Sequence, residues 1–184
     1  RALAIDEKSL GPEHPNVATR LNTLAELLQA TNRRAEAEPL MRRALAIDEK
    51  SLGPEHPNVA RDLHNLASLL QATNRFADAE PVMRRALAIG EKSLGLEHPN
   101  VATQLNTLAQ LLQATNRLAE AQPLMRRHVE IFLKFTRTTG HRHPHLKAGA
   151  RNYATLLKAM GQSPQEVLTE LNAVGQPFGI RLGG

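Results

Sequence analysis

Residues 43–84 read RALAIDEKSLGPEHPNVARDLHNLASLLQATNRFADAEPVMR, and this segment is one copy of a unit that recurs along the chain. Residues 1–42 match it at 34 positions, and residues 85–126 match residues 1–42 at 36 positions. A period of roughly 20 to 50 residues is typical of solenoids, in which each unit buries its apolar face against the next unit. The sequence therefore predicts stacked copies of one small unit.

Within one unit the apolar residues follow the period of an α-helix. Val17, Leu21, Leu24 and Leu28 are three or four residues apart, and a second apolar stripe starts at Ala37. This spacing places each set on one face of a helix. Each unit is therefore predicted to contain two helices, which pack antiparallel as a pair.

Two short segments mark the ends of these helices. Asn32 lies between the two stripes, and asparagine is, after glycine, the residue that best tolerates left-handed backbone at a helix end. Gly11 ends the preceding helix, and Pro15 suits the first turn of the next one. His14 precedes that proline, so we expect it at the helix cap.

The predicted array covers residues 1–173. We expect a partial helix of a preceding repeat at 1–10, repeats at 15–52, 57–94 and 99–138, a degenerate capping repeat at 144–173, and an irregular tail at 174–184. In the last repeat the pattern diverges, because His128 stands where Ala44 and Ala86 stand and three extra residues precede Gly140. The chain opens inside the pattern, so we expect it to be part of a longer protein.

The small and large residues of the unit resemble those of the tetratricopeptide repeat. They follow the pattern Leu24-Ala25-x-x-Leu28, then Ala37-x-x-x-Met41-x-x-Ala44. The unit is longer than the usual repeat of about 34 residues. It is similar to the 42-residue variant of kinesin light chains and many prokaryotic arrays, especially over residues 44–60. The resemblance implies an all-α fold, an α-α superhelix of antiparallel helix pairs, with a concave groove that binds protein.

In the fold that this resemblance implies, the groove is lined by polar residues of each first helix, opposite the leucine stripe. The predicted contact residues are Thr19, Asn22, Thr23, Glu26, Arg61, His64, Asn65, Ser68, Thr103, Asn106, Thr107, Gln110, Arg151, Asn152, Thr155 and Lys158. Asparagine and glutamine both donate and accept hydrogen bonds, which suits the main chain of an extended peptide. The basic members outnumber Glu26, which favours a peptide that carries acidic residues.

Catalytic and metal-binding chemistry is disfavoured by the composition. The chain has no cysteine, and it contains no glycine-rich phosphate loop. Three histidines recur a full repeat apart and cannot converge on one metal ion, and no carboxylate or cysteine stands beside the histidines of 141–145. We therefore expect no enzyme activity, no cofactor and no metal.

The net charge of +5 is a local feature. Residues 126–151 contain seven basic residues and one acidic residue, Glu130. Phosphate binding could use these cations, but binders of single strands usually interleave stacking rings, and this stretch offers Phe132 and Phe135 alone. Nucleic acid is therefore disfavoured as a partner. No apolar run is long enough to span a bilayer, so we expect no membrane association and a cytoplasmic location.

The favoured hypothesis is a scaffold that binds a protein or peptide segment in its groove. One alternative is a sensor or regulatory arm of a larger signalling enzyme, such as a nucleotide-dependent switch or a protease, with its catalytic part outside this chain. Another is a structural spacer. The sequence leaves the oligomeric state open.

Overall fold

The structure is a computed structural model that describes residues 2–182, and its regular elements there are all helical. The helices are α1 (Ala2–Leu10), α2 (Pro15–Ala30), α3 (Arg34–Leu52), α4 (Pro57–Ala72), α5 (Phe76–Leu94), α6 (Pro99–Ala114), α7 (Leu118–Thr139), α8 (Leu146–Ala159) and α9 (Pro164–Gly175). A 3₁₀ turn at Gln176–Phe178 follows α9. The predicted all-α fold class is confirmed.

The chain divides into two compact units, Arg1–Ser93 and Leu94–Gly184. In the first unit, α2 packs against α1 and α3, and α3 also packs against α4. In the second unit, α6 packs against α7, α7 against α8, and α9 against both α7 and α8. Within each unit, the helices named here pack against their neighbours in sequence, as expected of stacked helix pairs.

The predicted caps and turns recur in each of the first three repeats. The Nδ1 atom of His56 accepts a hydrogen bond from the backbone N–H of Asn58 at 3.1 Å, and His14 and His98 cap their helices in the same way. Asn74 has a φ of 60°, in the left-handed region. Asn32 and Asn116 have φ values of 61° and 59°. The roles predicted for these histidines and asparagines are confirmed.

Small residues occupy the tightest positions of the core. Ala37, Ala44 and Ala79 are all completely buried. Most of the leucine stripe of the first helices is also buried, with Leu21 and Leu66 at 0% and 1% exposure, but Leu24 of the first repeat is 37% exposed. Because protein interiors are close-packed, the helices around these small side chains must lie close together.

The C-terminal segment is more ordered than the sequence predicts. The expectation of an irregular tail from residue 174 is wrong at its start, because α9 continues to Gly175 and a 3₁₀ turn follows. Val174 is 1% exposed and packs into the core on this last turn. The backbone N–H of Ile180 then donates to the carbonyl of Gly175 at 3.1 Å. Residues 183 and 184 lie outside the described part of the chain.

The replacement of alanine by His128 in α7 is accommodated by a glycine in α8. The His128 side chain is buried, and a Cβ atom added at Gly149 would lie 2.4 Å from its Nε2 atom. The Nδ1 atom of His128 is 2.7 Å from the carbonyl oxygen of Ala102. Because a carbonyl only accepts, Nδ1 carries the hydrogen and Nε2 keeps a free lone pair.

We predict that Ala79→Leu destabilises the protein, because the larger side chain overpacks a fully buried position. The expected loss in the free energy of unfolding is about 1–3 kcal/mol, measured by urea denaturation. Ala77→Leu on the exposed face of the same helix is the matched control. A stability that is unchanged by Ala79→Leu counts against this packing.

Gly149→Ala is predicted to destabilise the second unit, because the new methyl group meets the His128 ring. The expected loss is about 1–3 kcal/mol in urea denaturation. Adding His128→Ala removes the clash, so the double variant should lose less stability than the sum of the two single variants. Strictly additive losses would mean that the two residues do not share this space.

Candidate functional site

The predicted contact residues of the first unit lie along α2 and α4. Thr19, Thr23 and Glu26 are exposed on α2, and the Oε1 atom of Glu26 is 3.5 Å from the Nδ2 atom of Asn65. Asn65 and Ser68 are half-buried on α4. The two first helices of this unit thus present their polar residues next to each other.

Two predicted contact residues are buried. Asn22 is 5% exposed, and its Nδ2 atom donates to the Oδ1 atom of Asp62 at 2.8 Å. Thr107, in the second unit, is 8% exposed, and its hydroxyl donates to the carbonyl of Thr103 at 3.2 Å. In the described structure neither side chain is open to a ligand.

Arg61 sits above two buried aspartates. Its Nε and Nη2 atoms donate to the Oδ1 atom of Asp62 at 3.2 and 3.0 Å, and Nη2 lies 3.5 Å from the Oδ2 atom of Asp48. The side chain of Arg61 is 44% exposed, whereas both carboxyl groups are fully buried. One guanidinium therefore faces solvent on one side and two carboxyl groups on the other.

The environment changes the acidity of both aspartates. Burial raises the pKa of Asp62 to about 6, although the neighbouring Arg61 guanidinium opposes that rise. Burial also raises the pKa of Asp48, again against the field of Arg61. Both carboxyl groups therefore hold a proton more tightly than exposed carboxyl groups do. His64 lies on α4, two residues after Asp62. Burial lowers the pKa of its imidazole, which favours the neutral ring.

In the second unit, three predicted contact residues line one cavity. Thr103, Asn106 and Asn152 border a volume of about 190 Å³, and Asn152 Nδ2 donates to Asn106 Oδ1 at 3.0 Å. The remaining lining consists of His128, Phe132, His145, Ala148 and Gly149. The cavity has an aromatic wall and a rim of amide and hydroxyl groups.

The aromatic wall of this cavity is held in place by ring contacts. His143 stacks on Phe132 with the ring centroids 3.9 Å apart, and His128 meets the same ring edge-on at 4.7 Å. Burial lowers the pKa of both histidines, which favours neutral rings. The rings form an aromatic wall with a hydrogen-bond acceptor at His128 Nε2.

The other predicted residues of the second unit lie outside this cavity. Gln110 is half-buried on α6, and Arg151, Thr155 and Lys158 are exposed on α8. Within the described residues, no group of three or more histidine, cysteine or acidic residues could hold a metal ion. In the same part of the chain, every helix is too short or too polar to cross a bilayer.

Much of the basic stretch 126–151 is engaged within the protein. Arg126 pairs with Glu130 and Glu170, and Lys134 pairs with Glu97. The guanidinium groups of Arg127 and Arg137 donate to the carbonyls of Leu96 and Pro177. Most of the stretch therefore contributes to folding contacts.

Asp48 and Asp62 are not among the predicted contact residues, although a comparison of the repeats points to both positions. Asp62 corresponds to Arg20 and Gln104 in the neighbouring repeats, and Asp48 corresponds to Asp6 and Gly90. Both positions thus vary within an otherwise nearly constant unit. In the first repeat the equivalent side chains form an ion pair, with Arg20 Nε 2.9 Å from Asp6 Oδ2.

We predict that Asp62 makes stability depend on pH. Its pKa of about 6 in the folded protein exceeds the value of about 3.9 expected in an unfolded chain. This group therefore contributes stability below about pH 4 that is lost as the pH rises through about 6. Relative to the wild type, Asp62→Asn should gain on the order of 1–3 kcal/mol between pH 4 and pH 7 in urea denaturation.

Asp62→Gln serves as a second variant, because glutamine is the residue at this position in the third repeat. It lacks a titrating group and should show the same trend as Asp62→Asn. If the wild type and both variants have the same pH dependence, Asp62 does not bind a proton in this range.

Comparisons with known proteins agree with this architecture. The tetratricopeptide repeat family model matches residues 1–50, 24–92 and 63–134. The crystal structure of a putative kinesin light chain from Podosopora anserina, with nearly identical TPR-like repeats, is 32% identical with a TM-score of 0.74, over 96% of this chain and 82% of that one. A variant of that protein is 29% identical with a TM-score of 0.75, over 95% and 82% of the two chains.

BtubC from P. vanneervenii shares the fold at 22% identity, with a TM-score of 0.74, over 90% of this chain and 66% of that one. A comparison with curated protein sequences found no match. The family model and the solved structures point the same way as the capped helix pairs described above. The chain therefore belongs to the tetratricopeptide repeat family, and the solved structures that it resembles are kinesin-light-chain-like repeat proteins.

Proposed function

We propose that the chain binds an extended, acidic segment of a partner protein along its first helices. Tetratricopeptide repeat proteins are generally non-catalytic scaffolds for protein–protein interaction. The proposal adds the kind of ligand and the residues that contact it. Asn22 and Thr107 are left out of the proposed contacts because both are buried.

The observation that carries the proposal is the cavity of about 190 Å³ beside Asn106 and Asn152. The hydrogen bond between these two amides uses one donor of Asn152 and one acceptor of Asn106. The Nδ2 atom of Asn106 and the Oδ1 atom of Asn152 remain for the N–H and C=O groups of a bound main chain. The aromatic wall beyond them suits one side chain of the peptide.

The preference for acidic ligands rests on the cations next to these amides. Arg151 precedes Asn152 on α8, and within the described residues it has no acidic partner. In the first unit, Arg61 presents an exposed edge, but Asp48 and Asp62 offset much of its charge. We therefore propose that the second unit contributes more of the attraction for acidic residues.

Selection of peptides from a random display library on the whole chain tests this function. Selected peptides should be richer in aspartate and glutamate than the unselected library. Their affinity for Arg151→Glu combined with Lys158→Glu, two exposed cations of α8 among the proposed contacts, should fall at least about tenfold, because each reversal replaces attraction by repulsion. Fluorescence polarisation at two salt concentrations measures the change.

The matched control combines Arg42→Glu and Arg126→Glu, which changes the net charge equally on second helices. Arg42 and Arg126 lie on α3 and α7, where they pair with Glu38 and Glu130. The control should bind the selected peptides nearly as well as the wild type. Unaltered affinity in the first variant, or an equal loss in both, would reject the proposed contacts.

A further inference from the structure

The fourth repeat becomes basic at three positions where the earlier repeats are not. Aligning Gly140 with Gly95 places Arg142 opposite Glu97, Lys147 opposite Ala102 and Arg151 opposite Asn106. The first two repeats have Glu13 and Glu55, Ala18 and Ala60, and Asn22 and His64 at these positions. A negatively charged glutamate is thus replaced by a positively charged arginine. An alanine that is buried in each of the first three repeats is replaced by an exposed lysine.

The reversal also removes an ion pair that the other repeats keep. Glu13 pairs with Lys50, Glu55 with Lys92 and Glu97 with Lys134. These pairs hold the loop before each first helix against the second helix of its own repeat. The fourth repeat has Arg142 in place of the glutamate and Gly179 in place of the lysine. Arg142 therefore does not take part in the ion pair that the glutamate forms with a lysine in the other repeats.

The three cations surround one cavity. Arg142, Lys147 and Arg151 border a volume of about 290 Å³ whose other walls are Ala150, Ala154, Leu171 and Leu182. Among the described residues 2–182, no acidic residue lines it, and no hydrogen bond or ion pair joins the charged side-chain group of Arg142, Lys147 or Arg151 to another residue. Lys147 and Arg151 are four residues apart on α8, a spacing at which like charges repel.

The nearest acidic residues of α9 are engaged elsewhere. Glu166 forms the capping box with Ser163, and Glu170 accepts the hydroxyl hydrogen of Tyr153 at 2.9 Å. The cluster therefore keeps three uncompensated positive charges around an apolar hollow. An anion that enters this hollow removes repulsion that the free protein carries.

We propose that Arg142, Lys147 and Arg151 bind a phosphorylated side chain of a partner protein. A phosphomonoester carries nearly two negative charges and three acceptor oxygens, so it can engage both guanidinium groups and the ammonium group at once. A carboxylate offers a single charge to three cations. The walls of alanine and leucine receive an aliphatic residue beside the phosphorylated one.

The lining favours a phosphopeptide over a nucleic acid. Proteins that bind single strands stack the bases on aromatic side chains, and the walls of this cavity contain no aromatic ring. The site shares Arg151 with the proposed first-helix contacts, whereas Arg142 and Lys147 are not among them. Replacing Arg142 and Lys147 therefore tests this site while the proposed first-helix contacts stay intact.

Amide chemical shifts of the whole chain during titration with inorganic phosphate give the first test. The expected changes centre on residues 142–151, and they disappear in Arg142→Glu combined with Lys147→Glu. Both residues are exposed, so these variants should fold. Lys158→Glu combined with Arg34→Glu, two exposed cations outside this cavity, matches the change in net charge and should retain the phosphate response.

Calorimetry with a phosphoserine flanked by leucines gives the second test. The phosphopeptide should bind at least about tenfold more tightly than its serine and glutamate versions, because it makes more charge-assisted hydrogen bonds. Equal binding of the three peptides would overturn the proposal. Tighter binding of a single-stranded oligonucleotide, lost in the Arg142→Glu and Lys147→Glu variant, would overturn it in favour of a nucleic-acid site.

Discussion

Burial of alanine between closely packed helices is the constraint on which the rest of this structure depends. Ala37, Ala44 and Ala79 have no exposed surface, so the surrounding helices leave no room for a larger side chain. The first three repeats therefore keep the same caps and turns and nearly the same small residues, with His128 in place of one alanine. The positions that differ between the first three repeats are mostly exposed or half-buried, and the polar positions of the first helices are prominent among them.

The buried positions that do change show how the packing tolerates variation. The ion pair between Asp6 and Arg20 becomes, one repeat later, the pair Asp48 and Asp62 with Arg61 above it. In the second unit, the large side chain of His128 stands where the other repeats have alanine. Gly149 on the next helix has no side chain, which leaves room for the histidine ring. In both cases a change in one helix is matched by a change in its neighbour. Such compensation keeps the helix spacing while it alters the chemistry next to the first-helix surface.

The fold could be predicted from the sequence because its signals are local. The left-handed turn at Asn74 and the cap at His56 depend on a few adjacent residues, and they recur at a fixed period. The candidate site was less predictable, because its side chains depend on neighbouring repeats. The burial of Asn22 follows from Asp62, which lies 40 positions further along the chain. Likewise, the cavity beside Asn106 needs a histidine from α7 and a glycine from α8.

We propose that constant packing carries a variable binding surface on the first helices. Mapping the amide chemical shifts of the whole chain with a selected peptide tests this claim most directly. The expected result is that the largest changes fall on α2 and α4, or on α6 and α8 with the cavity residues of α7. Changes confined to α3, α5 and α9 would contradict it.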